Sequence, residues 1–349
     1  MAASTAAAVL HAATLSIPSQ SPVPEDAEAK AHHVKSGGFR NPWASWHMIP
    51  AFTIVRKMIA RRFSGEANVP DTTPPTVPVR KPEFLPSRQT PKLRATWLGH
   101  ACYYVEFPSG LRVLFDPVFE DRCSPFSWLG PKRYTEMPCK MEDIPFIDAV
   151  LDWWEERDIA LSPLTKSAEV TSIRDASDKA SNILARIGCL PCQHISARTL
   201  WDRSQTLWGS WSVESGSSKV YFAGDTGYRS VPELPKEVDD YGPGHNYPHC
   251  PAFAQVGQYR GPFTLGLIPI GAYDPRFIMS PMHADPHDAV NIFKDTKCQN
   301  ALGMHWGTWV LTEEDVLEPP RKLKKALRQN GIAETGVFDV CDIGESREF

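Results

Sequence analysis

The sequence predicts an α/β fold, and three observations carry that prediction. Short apolar runs recur from Lys92 onward: "FIDAVL", "SWSVES", "KVYFAGD", "TLGLIPIG" and "NALGMHWG". They are bounded by Gly, Asp or His, the pattern of buried strands that deliver polar side chains from their C-terminal ends. Earlier, "KLRATWLGHACYYVEF" and "LRVLFDPVF" read as successive strands joined by the turn "PSG". Helices are expected at 175–187, 284–296 and 313–330. The last places acids first and bases last before Gly331, which suits the helix dipole, and its Pro319-Pro320 pair should start the helix proper.

Ahead of this domain, assigned to 92–349, the chain changes character. Residues 1–30 are rich in Ala, Ser and Pro with no hydrophobic pattern, and the first 40 residues are read as a disordered extension. Residues 1–30 contain no arginine, which tells against a mitochondrial presequence. Residues 41–91 combine two pieces. In "WASWHMIPAFTIVRKMIARRF", Trp43, Trp46, Val55, Ile59 and Phe63 accompany Arg56, Lys57, Arg61 and Arg62. That composition suits a basic amphipathic helix, either lying in a membrane surface or packed on the main domain. Residues 69–91 carry proline every few positions and read as an extended linker or a wrapping arm.

Composition narrows the function classes. A net charge of −4 over 349 residues leaves no basic footprint for nucleic acid. Eight scattered cysteines with no secretory signal point to a reducing, intracellular setting rather than a disulfide framework. No apolar run approaches the roughly 18 residues a spanning helix needs. The expectation is a cytoplasmic protein that is soluble or peripheral to a membrane.

The polar residues at strand ends are the candidates for chemistry. In "KVYFAGDTGY", two glycines flank Asp225 and let the backbone turn so that a carboxylate enters a crevice, where it suits a divalent metal. The same Asp could simply close its own turn through backbone amides. His305 follows an apolar strand between Met304 and Trp306, and His194 ends "CLPCQH". Either is also at home as a hydrogen-bonded core residue. His283 precedes a helix in "SPMHADP". Cys189 and Cys192 have C-x2-C spacing, but no second pair lies at a distance that would make a zinc knuckle.

The order of these residues resembles the metallo-β-lactamase fold. The surrounding text resembles, more narrowly, the N-acyl-phosphatidylethanolamine phospholipase D family. The matching segments include "RATWLGHACYYVEF", "FDPVFEDRCSPFSWLGPKRY", "DWWEE", "QHISARTLWD", "YFAGDTGY", "IPIGAYDPR", "MHADP" and "MHWGTW", with "NPWASW" upstream. The resemblance implies an αββα sandwich with a metal site along the sheet edges. It implies two zinc ions bridged by a hydroxide that attacks a phosphodiester, giving phosphatidic acid and an N-acylethanolamine. His194 would ligate one zinc, Asp225 would bridge both, and His305 would ligate the other. His283 would stand by the substrate phosphate as a catalytic helper. The partners implied are a phospholipid substrate and a membrane surface, a mitochondrial one included.

Two departures from the family pattern stand out. The strand ending in "DAVL" should run into an H-x-H-x-D-H segment, yet Leu151 is followed at once by "DWWEE". The flanks still match, so the expectation is a clean excision: a skipped exon, an alternative transcript or a gene-model error. The sandwich would then be incomplete, with three of seven metal ligands left. The second departure is an insertion, residues 229–249, containing His245 and His249, read as a surface loop ahead of replacement ligands. Besides the phosphodiesterase, two further readings stay open: a catalytically dead lipid-binding remnant, and a related metallohydrolase such as a lactonase.

Overall fold

The computed structural model describes residues 15–16, 31–124, 128–151, 167–170, 183–197, 202–235 and 238–349. Chain order begins with β1 (Leu15–Ser16), α1 (Ala51–Ser64), β2 (Arg94–Gly99), β3 (Cys102–Glu106), β4 (Arg112–Phe115) and β5 (Ala149–Leu151). It continues with β6 (Ser167–Val170), β7 (Ala185–Leu190), β8 (Ser210–Ser215), β9 (Ser218–Phe222), α2 (Ala252–Tyr259) and β10 (Phe263–Pro269). Last come α3 (Arg276–Met279), α4 (Pro286–Asp295), β11 (Cys298–Met304), α5 (Glu318–Gln329), β12 (Phe338–Asp339) and β13 (Ser346–Glu348).

Two mixed sheets face each other. The larger has the order β1-β6-β7-β8-β9-β10-β11-β12 and the smaller β13-β2-β3-β4-β5. The larger is antiparallel up to β9 and parallel from there to β12. Apolar residues from both inner faces form one core, in which Phe115 stacks on Phe222 at 4.9 Å and Trp97 on Trp306 at 5.3 Å. Each such buried side chain contributes about 1.5–3 kcal/mol. Outside the larger sheet, α4 packs on β10 and β11 between α2 and α5. On the outer face of the smaller sheet, Leu98, Cys102, Tyr104 and Leu114 pack against Phe84, Phe119, Ile144 and Ile147, which come from irregular chain. This is the metallo-β-lactamase type of sandwich that the resemblance implied.

Most of the expected strands form. The run 92–107 breaks in two, because Gly99 (φ 101°) and His100 (φ 51°) reverse the chain between β2 and β3. The helix expected at 175–187 is corrected in its described part: β7 occupies 185–190, where Ile187, Cys189 and Leu190 pair with β8. Tertiary pairing overrides local propensity there. Residues 171–182 lie outside the described residues. The other two helices form as α4 and α5, and α5 begins at Glu318, beside the proline pair.

The N-terminal expectations need more correction. Residues 31–40, expected to be disordered, form a turn closed by a His33–Phe39 bridge, and Phe39 N donates to Ser204 O at 2.8 Å. Residues 1–14 and 17–30 lie outside the described residues. The basic helix starts only at Ala51, after Pro50, so the two tryptophans are not on it. Trp43 instead meets His32 edge to face at 4.8 Å. The proline-rich stretch wraps the domain: Val77 is buried, Val79 bridges to Ile343, and Arg88 grips Asp148 through bonds of 2.6 and 2.8 Å.

Helix α4 shows how sequence fixes an element. Asp285 caps it by accepting from His287 N and Asp288 N, Pro286 sits in its first turn, and the Asp288 side chain reaches back to Asp285 N. Asp285 is buried, with Lys322 Nζ at 3.0 Å and Arg276 Nε at 3.9 Å. Burial opposes its ionisation, but Arg276 and Lys322 outweigh it and hold the carboxyl well below its ordinary value. A depressed folded pKa means stabilisation that is present above the unfolded value, near 3.9, and is lost as pH falls through the folded one. Asp285→Asn keeps a competent cap and removes only the charge. We expect it to cost roughly 2 kcal/mol at pH 7 by urea unfolding, with the gap closing as pH drops below about 4.

Candidate active site

Strand ends of the two sheets converge on one cleft, and the backbone is strained there. His100, Asp116, Ala272 and His305 all have positive φ (51°, 42°, 63° and 62°), although none is glycine. Such conformations cost about 1–3 kcal/mol each and cluster at functional sites. The two strained histidines hold each other's loops, since His305 N donates to His100 O at 2.9 Å and Thr308 Oγ1 accepts from His100 N at 2.7 Å.

Asp225 and His305 are both buried, with Asp225 Oδ1 3.1 Å from His305 Nε2. Apart from this ion-pair contact, Oδ1 has no partner. The His283 ring lies 5.0 Å from His305 and 5.2 Å from His194, and the His100 ring lies 4.1 Å from His305. The structure thus brings together all four residues singled out in the sequence, His194, Asp225, His283 and His305. It adds His100, whose role an apolar strand context concealed.

One glutamine ties the loops that carry them. Gln193 N donates to Thr226 Oγ1 at 2.9 Å, and Gln193 O accepts from Gly227 N at 2.8 Å, beside Asp225. Its side chain donates to Pro281 O at 3.0 Å, next to the His283 loop, and accepts from Ser45 at 2.5 Å. Asn41 Nδ2 adds a 2.7 Å bond to His194 O, so the "NPWASW" segment buttresses the cleft. Gly227 is obligatory: a Cβ there would lie 2.2 Å from Pro281 O. No sequence pattern announces Gln193, because its function exists only across three distant segments.

The electrostatics follow from burial. Desolvation lowers the pKa of His194, His283 and His100, and neighbouring histidines lower it further, so these rings are neutral near pH 7. His194 Nδ1 lies 2.6 Å from Ile195 O, which can only accept, so Nδ1 carries the proton and Nε2 the lone pair. Burial also disfavours an imidazolium at His305, but the Asp225 charge outweighs it and raises that pKa. Reciprocally, burial opposes ionisation of Asp225, and His305 outweighs it and holds the carboxyl well below its usual range.

The donor chemistry suits a metal, but the donors do not complete a centre. Among the described residues, no three His, Cys, Asp or Glu side chains converge closely enough to hold an ion. Strand β5, where the family pattern would continue into its ligand segment, ends at the cleft: Leu151 O accepts from Asp116 N at 2.9 Å. It is also the last strand of the smaller sheet, with Val150 53% exposed. The insertion brings no substitute, because His245 Nδ1 lies 3.1 Å from the Tyr247 hydroxyl and His249 stacks on Tyr228 at 5.2 Å. Burial pushes the Cys192 thiol well up, so that cysteine is a poor source of thiolate.

Comparison with known proteins places this geometry. Residues 155–306 match a family model described as a beta-lactamase superfamily domain. The chain is 32% identical to N-acyl-phosphatidylethanolamine-hydrolyzing phospholipase D 1 of Caenorhabditis elegans, across 95% of this chain and 98% of that one. It is 31% identical to a mitochondrial protein of the same description from Saccharomyces cerevisiae, across 68% of this chain and 52% of that one. The alignment with the nematode protein runs 375 positions, more than the 349 residues of this chain, so the relative carries residues that have no counterpart here. A solved metallo hydrolase from Ignicoccus hospitalis is 16% identical, covering 74% of this chain and 98% of its own, at a TM-score of 0.43, too loose a likeness to argue from.

Removing one member of a buried charge pair strands the other. His305→Ala should therefore destabilise the metal-free protein by roughly 3–5 kcal/mol in denaturant unfolding. A loss below about 1 kcal/mol would mean that Asp225 does not depend on that ring.

Proposed function

The chain belongs to the N-acyl-phosphatidylethanolamine-hydrolysing phospholipase D family, and from that membership we propose that its cleft is shaped for the phosphodiester of an N-acylated phosphatidylethanolamine, with a metal centre left incomplete. The observation that carries the reading is the donor set: Asp225 Oδ1, met only by His305, and His283 Nδ1 are buried without hydrogen-bond partners, yet among the described residues no three donors close on an ion. Bound zinc would supply charge neutralisation and a nucleophilic hydroxide. A catalytic zinc usually keeps three protein ligands, and His194, Asp225 and His305 are too few to serve two ions. No step of hydrolysis is therefore assigned to this chain as it stands.

What its own residues supply is orientation. Neutral His283 offers an unpartnered ring nitrogen to a substrate oxygen. Gln193 fixes the spacing of the His194, Asp225 and His283 loops. We assign the nematode relative's extra residues to the junction of Leu151 and Asp152, where they would supply the remaining ligands.

The membrane reading rests on α1. Phe52, Val55, Ile59 and Phe63 form one stripe at helical spacing, with Phe52 80% and Phe63 88% exposed, and the helix buries no residue. Its opposite side is fastened to the domain by the pairs Lys57–Glu233 and Arg61–Glu313. An apolar stripe flanked by Arg56 and Arg62 suits an anionic lipid surface. No helix among the described residues is long and apolar enough to cross a membrane. An intracellular membrane, the mitochondrial one included, is the proposed location.

Grafting the nematode relative's segment between Leu151 and Asp152 tests the proposal. The chain as given should hydrolyse N-acyl-phosphatidylethanolamine in mixed micelles at the blank rate, and the grafted chain should release N-acylethanolamine. Activity in the ungrafted chain, or a folded graft that stays inert with zinc, contradicts it.

A further inference from the structure

The basic end of α1 spells Arg61-Arg62-Phe63-Ser64, with arginines three and two residues ahead of a serine. Neither the cleft nor the apolar stripe involves that serine. It is the last residue of the helix and is exposed, and its hydroxyl donates to Arg61 O at 3.2 Å. Gly65 follows at φ 77° and ends the helix. The other run of this type among the described residues, Lys132-Arg133-Tyr134-Thr135, is placed differently. Thr135 is only 6% exposed and donates to Gly307 O at 3.0 Å, and Arg133 is buried as well.

Two arginines at that spacing are what a serine kinase with an acidic substrate groove reads. Such an enzyme takes its target as extended chain, and the last turn of α1 can supply it. The helix buries no residue, so opening its end exposes little apolar surface. What holds that end is polar. Arg61 Nη2 donates to Glu313 at 2.5 Å, and Asn68 Nδ2 donates to Glu313 O at 2.8 Å and to Asp315 at 3.1 Å. Within the turn, Arg61 O accepts from the amides of Glu66 and Ala67, both at 3.1 Å.

We propose that Ser64 is the phosphorylation site of an arginine-directed serine kinase, and that its phosphate unfastens the end of α1 from the domain. The hydroxyl oxygen attacks the γ-phosphorus of ATP, the bond to the β-phosphate oxygen breaks, ADP leaves, and the hydroxyl proton passes to the kinase's base. The phosphate brings a charge of about −1.5 to −2 at pH 7 and three acceptor oxygens. Arg61 lies three residues back, where helical neighbours meet, so the phosphate competes with Glu313 for its guanidinium. Glu66 and Glu313, which already share Arg61, repel the new charge. A helix C-terminus also disfavours negative charge, so the last turn melts. Beside Phe63, the same charge cancels about two basic residues and loosens α1 from an anionic lipid surface. That last consequence rests on the membrane reading above, whereas the site and the unfastening do not.

Treating the intact chain with ATP and the catalytic subunit of cyclic-AMP-dependent protein kinase tests this. Peptide mapping should place phosphate at Ser64, and Ser64→Ala should lose it. Arg62→Gln should slow labelling about ten-fold, the loss of one charge-assisted contact. Glu313→Gln, near in shape to the original, should speed labelling several-fold, because the helix end is then already released. Hydrogen exchange of the amides at 65–68 should be faster in the phosphorylated chain. Its binding to vesicles of phosphatidylcholine and phosphatidylserine, read by sedimentation, should be about thirty-fold weaker. If neither wild type nor Glu313→Gln takes phosphate at Ser64, the site is overturned. Unchanged exchange after labelling overturns the unfastening. Equal vesicle binding by the two forms overturns the lipid consequence. An unlabelled chain that fails to bind refutes the membrane reading instead, and the labelling and exchange results still decide the site. Hydrolysis enters none of these readouts, so a failure here is separable from a failure of the proposed function.

Discussion

An ionised carboxylate kept away from water is the constraint on which the cleft depends. Asp225 is buried, and a buried charge needs a partner or it disrupts the fold around it. His305 supplies that partner at 3.1 Å, from a residue whose own backbone is held in a strained conformation. The neighbouring rings of His194, His283 and His100 stay neutral because a second buried imidazolium would be unaffordable beside the first. The Gln193 hydrogen bonds and the close approach of Gly227 to Pro281 then follow as the means of holding three loops in register around one charge.

The same constraint explains how these side chains stay together with no metal between them. The His305–Asp225 pair neutralises itself, so the loops after β9 and β11 hold their side chains together without a metal. In the smaller sheet, β5 stops at the cleft and Val150 faces solvent. An exposed apolar edge is a surface on which another strand can pair.

Much of the architecture was legible in the sequence, for physical reasons that differ by element. Strands β8 to β11 announce themselves because each is a short apolar run stopped by a turn residue, with no competing helical spacing. Strand β7 was hidden, since "ARIGCL" adjoins a polar stretch with helix-like spacing and becomes a strand only by pairing with β8. The start of α1 was misplaced because composition grouped the tryptophans with it, although Pro50 marks the true boundary. His194, Asp225, His283 and His305 were legible from strand ends and from the family text. His100 and Gln193 were not: one sits among apolar strand residues, and the other acts through hydrogen bonds to segments 33 and 88 residues away.

The central claim is that, among the described residues, the three candidate ligands His194, Asp225 and His305 are about half of what a two-metal centre needs. Native mass spectrometry of the intact chain, equilibrated with zinc and then exposed to a competing chelator, counts the ions directly. The account predicts that no chain retains two zinc ions and that any single ion is surrendered readily. A population holding two ions through chelator challenge would show that other side chains complete the centre, and the account would be wrong.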